Sequence, residues 1–134
     1  MAEIGARRFA VTVGAGTLRP ESGLSLPHAW TDEGVVVVAG FTGGHLLHLA
    51  VAGCVLNDLY REAQELGLVL DGVLVAADGD FDPDTFASNG IGYRVEVDTT
   101  AAPERVEALL ARVDEVAEIP IAIRAGASVR HVRD

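Results

Sequence analysis

The pattern of apolar and polar positions divides the first half of the chain into strands, a loop and a long helix. Arg8 to Val13 alternates apolar with smaller or polar residues, and residues 34–40 form a valine-rich run, so both are predicted as strands. Residues 14–32 contain glycines and two prolines, which favours irregular structure. No proline occurs between Thr42 and Gly67, and this segment is predicted to be a central helix that Thr42 caps.

The second half of the chain passes again from strands to a helix. The runs Val69 to Ala77 and Ile91 to Asp98 are predicted as a hairpin with a long polar connection. Pro103 precedes apolar residues at helical spacing, which predicts an amphipathic helix that Pro120 ends. Residues 127–133 are predicted as a last strand. The order β, β, α, β, β, α, β, without a repeat or linker, predicts one α+β domain over residues 1–134.

The central helix has two different halves. Its first half is apolar on almost every side, whereas its second half gains asparagine, aspartate, arginine and glutamate residues. We therefore expect the first half to be buried and the second half to emerge toward solvent. A helix that is apolar on every face needs more cover than one small sheet provides, so a homodimer is also expected.

The amino-acid composition and net charge of the chain limit the classes of function that it can have. The chain has 134 residues, 49% of them hydrophobic, which suits one core held by packing, because the single cysteine cannot form an intramolecular disulfide. Twenty acidic against ten basic side chains give a formal charge of −10, which disfavours nucleic acid as a partner. No apolar run is long enough to span a membrane, and the N-terminal segment lacks the apolar stretch of a signal peptide. We expect a cytoplasmic protein without a membrane partner.

Cys54 is the first candidate for chemistry, and two interpretations of it remain open. A free cysteine in an apolar helix is either a small buried hydrophobic residue or a nucleophile. Asp58, one helical turn later, would raise the pKa of the thiol if the two side chains met, and Arg61, on nearly the same face, could lower it. A reactive Cys54 therefore needs a cation from elsewhere in the fold or from a partner subunit.

The segment TGGHLLHLAVAGC followed by VLNDL resembles the central-helix signature of the OsmC/Ohr family, and the order of elements is similar from about Gly40 onward. The resemblance implies an antiparallel sheet, a buried central helix, a second amphipathic helix and an intertwined homodimer. It also implies a thiol-dependent peroxidase without a cofactor. In this family a first cysteine, at the position of Cys54, attacks the peroxide, and a second cysteine resolves the sulfenic acid.

The chain departs from the family pattern at two places. Ile119 stands where the family's second cysteine precedes a proline, and residues 42–44 replace the Asn-Pro-Glu that begins the helix in the organic-hydroperoxide branch. The family's catalytic arginine comes from an early loop, where Arg19 is the nearest analogue. Two functions are therefore expected as alternatives. One is a one-cysteine peroxidase that reduces organic hydroperoxides with an external thiol; the other is an inactive module that binds a small apolar molecule or serves for dimerisation.

The histidines and a run of aspartates are candidate metal ligands. His45 and His48 are three positions apart on one helix, but their spacing from Cys54 places them on other faces. We expect His45 to help satisfy the hydrogen-bonding groups at the start of the helix and His48 to lie in the pocket or at the dimer interface. We expect no metal to be bound. The alternating aspartates of residues 78–84 lack the glycine and glutamate of a calcium loop and are predicted to form a solvated hairpin loop.

Overall fold

The computed structural model describes residues 7–133; the first six residues, part of the segment expected to lack a signal peptide, and Asp134 lie outside the described residues. The elements in chain order are β1 Val11–Gly16, β2 Leu24–Leu26, β3 Val35–Val38, α1 Gly43–Leu66, β4 Gly72–Phe81, β5 Ser88–Asp98, α2 Pro103–Val116 and α3 Glu118–Ala125.

The strands form one antiparallel sheet in the order β2-β3-β1-β4-β5. Val13 of β1 faces Val37 of β3 on one side and Val75 of β4 on the other. Helix α1 packs across β1 and β4, and α2 packs against α1. Leu56, Leu59 and the other buried apolar side chains of α1 fill the space between the helices and the sheet. The predicted α+β class and antiparallel sheet are confirmed.

Helix α1 begins and ends where the sequence predicts. The Thr42 hydroxyl accepts a hydrogen bond from the His45 backbone N–H at 3.1 Å, as expected of an N-cap. Gly67 adopts a left-handed conformation with φ +71°, and its N–H bonds to the carbonyls of the last turn. A residue with a Cβ adopts this conformation only with strain, so glycine ends the helix here.

The burial along α1 differs from the expectation. In the first half of the described helix most side chains are partly or fully exposed, and Leu46 is 41% exposed. The second half is the more buried one, because there α1 lies between the sheet and α2, and even Asp58 and Glu62 are buried. Glu62 therefore contacts Arg112 of α2 at 2.8 Å, whereas Asn57, Gln64 and Glu65 of the same half are exposed.

The strands also differ from the predicted ones. Residues 14–32 are not entirely irregular, because they contain the end of β1 and the short strand β2. Strands β4 and β5 are longer than predicted, so the connection between them is short. The aspartates of residues 78–84 do not all lie in a loop: Asp78 is fully buried in β4, and one of its oxygens accepts a hydrogen bond from Arg7 Nε at 3.1 Å.

The C-terminal prediction was wrong. Helix α2 ends at Val116, before Pro120, and a further helix α3 follows. Pro120 is tolerated in α3 because it lies in the first turn, where backbone N–H groups lack a partner within the helix. Residues 127–133 form no strand. They pair with none of the five strands among residues 7–133.

Within residues 7–133, no helix combines the length and the apolar character needed to cross a membrane.

Candidate functional site

Cys54 lies at the wall of a cavity between α1 and the start of α3. The cavity has a volume of about 350 Å³ and its lining residues are Trp30, Ala50, Cys54, Asn57, Asp58, Arg61, Glu118 and Ile119. Cys54 itself is neither fully buried nor fully exposed. The sulfur is therefore part of the packed structure and at the same time borders a space large enough for a small molecule.

The N-terminus of α3 is directed at the sulfur of Cys54. The Ile119 backbone N–H donates to Cys54 Sγ over 3.5 Å, and the backbone of Glu118 contributes a similar interaction. The first N–H groups of a helix have no partner within the helix, so they are free to bind an acceptor in front of it. These two N–H groups favour negative charge or a new oxygen on the sulfur.

Charged side chains occupy the other side of the sulfur. Cys54 Sγ lies 4.0 Å from Asp58 Oδ2, within reach of the weak S–H donor. Asp58 Oδ1 forms an ion pair with Arg61 Nη2 at 3.1 Å, and Arg61 also contacts Glu62 at 3.4 Å and Glu118 at 3.5 Å. Arg61 is thus the cation of the site, and its charge is shared among three carboxylates.

The balance of these neighbours keeps the thiol protonated at rest. Burial raises the pKa of Cys54, and the negative charges of Asp58 and Glu118 raise it further, against the lowering effect of the α3 backbone N–H groups. Burial also raises the pKa of Asp58, although the charge of Arg61 opposes this shift. Burial thus favours the protonated form of both the Cys54 thiol and the Asp58 carboxyl.

The predicted residues Cys54, Asp58 and Arg61 come together, whereas Arg19 does not join them within one chain. The Arg19 guanidinium forms an ion pair with Glu33 at 2.8 Å and does not line the Cys54 cavity. The role of Arg19 as a catalytic residue stays a prediction.

His45 and His48 lie on the other side of α1 from the cavity. His45 Nδ1 is 2.7 Å from the Thr42 hydroxyl, at the helix entrance. His48 is fully buried; its Nδ1 donates to the Gly44 carbonyl at 2.6 Å and its ring stacks on Phe9. Neither histidine contacts Cys54. No group of three or more potential metal ligands occurs among the residues that the structure describes.

A second, apolar cavity adjoins the first one. It measures about 370 Å³, shares Trp30 and Asn57 with the Cys54 cavity, and is lined mainly by apolar residues of α1, β2 and β3. At its rim His28 Nε2 lies 3.0 Å from Asn57 Oδ1, and burial lowers the pKa of His28. The imidazole is therefore favoured in its neutral form, and this cavity offers apolar surface with few charges.

Two residues of the site, Glu118 and Trp30, were not predicted from the sequence. Glu118 carries no signal of its own, because its place beside Arg61 depends on helix α3, which was not predicted. Trp30 is the single tryptophan and stands in a segment interpreted as irregular. A large aromatic residue in a polar loop was the one available indication that this loop covers a cavity.

The comparisons with known proteins agree with the fold. The model of the family described as OsmC-like protein matches residues 34–132. The crystal structure of an OsmC-like hydroperoxide resistance protein from Jannaschia sp. CCS1 is similar in fold, with 15% sequence identity, a TM-score of 0.50, and coverage of 92% of this chain and 93% of that chain. No curated protein sequence matches the chain.

Proposed function

Because the chain belongs to the OsmC-like protein family, we propose that it is a one-cysteine, thiol-dependent peroxidase that reduces organic hydroperoxides. Cys54 is the nucleophile in this proposal. The solved structure with the similar fold is named a hydroperoxide resistance protein, which supports the same chemistry here.

The observation that carries the proposal is the surrounding of the Cys54 sulfur. It borders a cavity of about 350 Å³ and receives an N–H donor from Ile119 at 3.5 Å. A sulfenic acid formed on this sulfur would add an oxygen on the side of the two α3 N–H groups or in the cavity. A cysteine that only packs needs neither an adjacent space nor donors directed at it.

The reaction balances with an external thiol. The sulfur attacks the terminal oxygen of ROOH, the O–O bond breaks, and Cys54–SH plus ROOH gives Cys54–SOH plus ROH. A thiol R′SH then displaces water and leaves Cys54–S–S–R′. A second R′SH attacks this mixed disulfide, which restores Cys54–SH and releases R′S–SR′. The external thiol replaces the absent second cysteine.

The test is the consumption of tert-butyl hydroperoxide in the presence of dithiothreitol. We expect turnover by the wild type and loss of activity by at least about a hundredfold in Cys54→Ser, because the serine hydroxyl is not a nucleophile at neutral pH. A matched control, Ile121→Ser, changes an exposed α3 residue and leaves the rate unchanged. Equal rates of the wild type and Cys54→Ser would disprove the proposal.

A second candidate function is a module that binds a small apolar molecule. The observation that favours it is the apolar cavity of about 370 Å³ beside the site, together with the raised pKa of Cys54. In this case the thiol is inert and Cys54→Ala leaves both stability and ligand binding unaltered. The test is the binding of an apolar fluorescent probe such as ANS to the folded protein. Saturable binding that fatty acids displace, without any turnover of hydroperoxide, would identify this function.

We also propose that the working form is a homodimer. Large apolar side chains are exposed along the β2–β3 side of the sheet and at the start of α1, among them Leu24, Val38, Phe41 and Leu46. Exposed apolar side chains clustered in this way are typical of protein interfaces, and a second copy would cover them. Sedimentation should show twice the mass of one chain; a well-folded species of 14.0 kDa would contradict this.

A further inference from the structure

The thiol of Cys54 needs a proton acceptor before it can attack, because the surrounding charges and burial hold it in the protonated form. The attack also produces an alkoxide, RO⁻, which needs a proton to leave as an alcohol. A single group beside the sulfur could satisfy both needs, if it takes the thiol proton and returns it to the alkoxide. Under the proposed function, on which this inference rests, that group is a side chain close to Cys54 Sγ.

Asp58 is the carboxylate that contacts the reacting sulfur. It is one helical turn after Cys54, so both side chains lie on the same face of α1, and its Oδ2 is 4.0 Å from Sγ. Asp58 is only 3% exposed and lines the same cavity. Glu118 also lines this cavity, but its side chain is 75% exposed and points to Arg61 through Oε1.

Arg61 fixes the other oxygen of the carboxylate. The ion pair between Arg61 Nη2 and Asp58 Oδ1, at 3.1 Å, leaves Oδ2 directed at the sulfur. A buried carboxylate without a cation would take up a proton and could no longer act as a base. Arg61 therefore opposes the effect of burial on the pKa of Asp58 and orients its carboxylate, and Arg61 is itself held by contacts on both α1 and α3.

We infer that Asp58 accepts the Cys54 thiol proton during attack on the hydroperoxide and returns it to the departing alkoxide, with Arg61 as its positioning residue. The step balances within the site. The S–H bond breaks toward Asp58 Oδ2, the S–O bond forms as the O–O bond breaks, and the proton on Asp58 passes to RO⁻ to give ROH. No other acid, base or redox partner is needed.

This relay has a characteristic pH dependence. The reactive form carries one proton shared by Cys54 and Asp58, so the oxidation rate is level between the pKa values of the two groups and falls when Asp58 becomes protonated. The charged groups that face Asp58 are Arg61 and Glu62 of α1 and Glu118 of α3. Alkylation of the thiol by iodoacetamide needs no proton for its leaving group, so its rate follows the thiolate fraction and rises about tenfold per pH unit.

The experiment measures two rates at Cys54 from about pH 6 to 8 by mass spectrometry of the whole protein. One is the rate of oxidation by tert-butyl hydroperoxide, and the other is the rate of alkylation by iodoacetamide. In Asp58→Asn we expect oxidation to slow at least about tenfold, with a rate that now rises with pH. Alkylation becomes equal or faster, because a negative charge beside the thiol is lost. Asp58→Glu restores part of the oxidation rate, and the control Glu65→Gln, an exposed carboxylate two turns further along α1, changes neither rate.

Arg61→Gln supplies a second readout that does not depend on the folding of Asp58→Asn. Without the guanidinium the pKa of Asp58 rises, so the acid limb of the oxidation profile moves to higher pH. The inference is overturned if oxidation and alkylation change in the same direction in Asp58→Asn, or if the acid limb stays in place in Arg61→Gln. If Cys54 of the wild type is oxidised no faster than free cysteine, the proposed function is disproved as well. If the wild type is oxidised faster than free cysteine and either of the results above is found, only the role of Asp58 is disproved.

Discussion

Cys54 and His48 are both reactive side chains in an apolar stretch of the same helix, and they have opposite surroundings. Cys54 borders a cavity of about 350 Å³ and has a carboxylate, a guanidinium and two N–H groups around it. His48 is fully buried, its ring packs against Phe9 and Phe81, and it lines neither of the two cavities described beside Cys54.

The difference between the two positions lies in what the neighbouring elements bring. The start of α3 meets α1 beside Cys54 and supplies donors and a charge. Beside His48, β4 passes so closely that a Cβ on Gly79 would lie 2.3 Å from His48 Nε2. The same signal in the sequence, a polar or reactive residue in an apolar helix, thus marks a candidate site in one place and tight packing in the other.

The largest expected effect comes from a second thiol placed at Ile119. Its backbone N lies 3.5 Å from Cys54 Sγ, so the two residues are close enough for a disulfide. In Ile119→Cys, hydroperoxide treatment should convert almost all molecules to the intramolecular disulfide, measured as a loss of two hydrogen masses. The control Ile121→Cys, on the exposed side of α3, should retain two separate thiols. Failure of Ile119→Cys to crosslink would contradict the geometry of the site.

The next effect concerns the resting thiol. Because burial, Asp58 and Glu118 raise the pKa of Cys54, the thiolate fraction at pH 7 is smaller than in free cysteine. Alkylation by iodoacetamide should be slower than for free cysteine at pH 7 and should increase about tenfold per pH unit until pH passes the raised pKa. If the midpoint of the alkylation rate against pH lies at or below that of free cysteine, a cation and not the carboxylates dominates the surroundings of the thiol.

A smaller effect tests the packed side of the comparison. In Gly79→Ala the new methyl group would collide with His48 Nε2 and with the Gly90 carbonyl, 2.6 Å away. Overpacking of this kind should lower the free energy of unfolding by about 2 kcal/mol, measured by urea denaturation. The alkylation rate of Cys54 in the folded protein should stay the same. A change in that rate would indicate that the His48 region and the cavity are coupled.

The smallest effect is expected at Gly53, the neighbour of Cys54 in α1. A Cβ there meets nothing within 4 Å, so the change to alanine introduces no collision. Alanine in a helix interior is favoured over glycine, and Gly53→Ala should raise the free energy of unfolding by about 0.5 to 1 kcal/mol. Urea denaturation checks this as well. Destabilisation would mean that a further surface, such as a second copy of the chain, approaches the backbone at Gly53.

The sequence predicts the main features of the fold because they depend on local patterns. The cap at Thr42, the left-handed end at Gly67 and the alternation of β5 are read from neighbouring residues. The prediction failed where the outcome depends on distant packing. Pro120 was interpreted as a stop signal, although the chain resumes a helix around it, and the buried half of α1 is decided by α2 and the sheet.

The candidate site was predicted in its α1 part and missed in its α3 part. Helical spacing alone places Asp58 and Arg61 near Cys54 on one face. The N–H groups of residues 118 and 119 and the carboxylate of Glu118 required knowledge of where α3 begins. For the same reason the sequence left open whether a cation comes near the sulfur, and the structure places Arg61 in the lining of the same cavity, paired with Asp58.

The most direct test of the account is the oxidation of Cys54 in a single exposure to one equivalent of an organic hydroperoxide, with a sulfenic-acid trap present, followed by intact-protein mass spectrometry. The account predicts rapid addition of one trapped sulfenic acid per chain, confined to Cys54 and much faster than for free cysteine. A Cys54 that remains unmodified on that timescale would contradict the peroxidase and leave the binding module as the function of this fold.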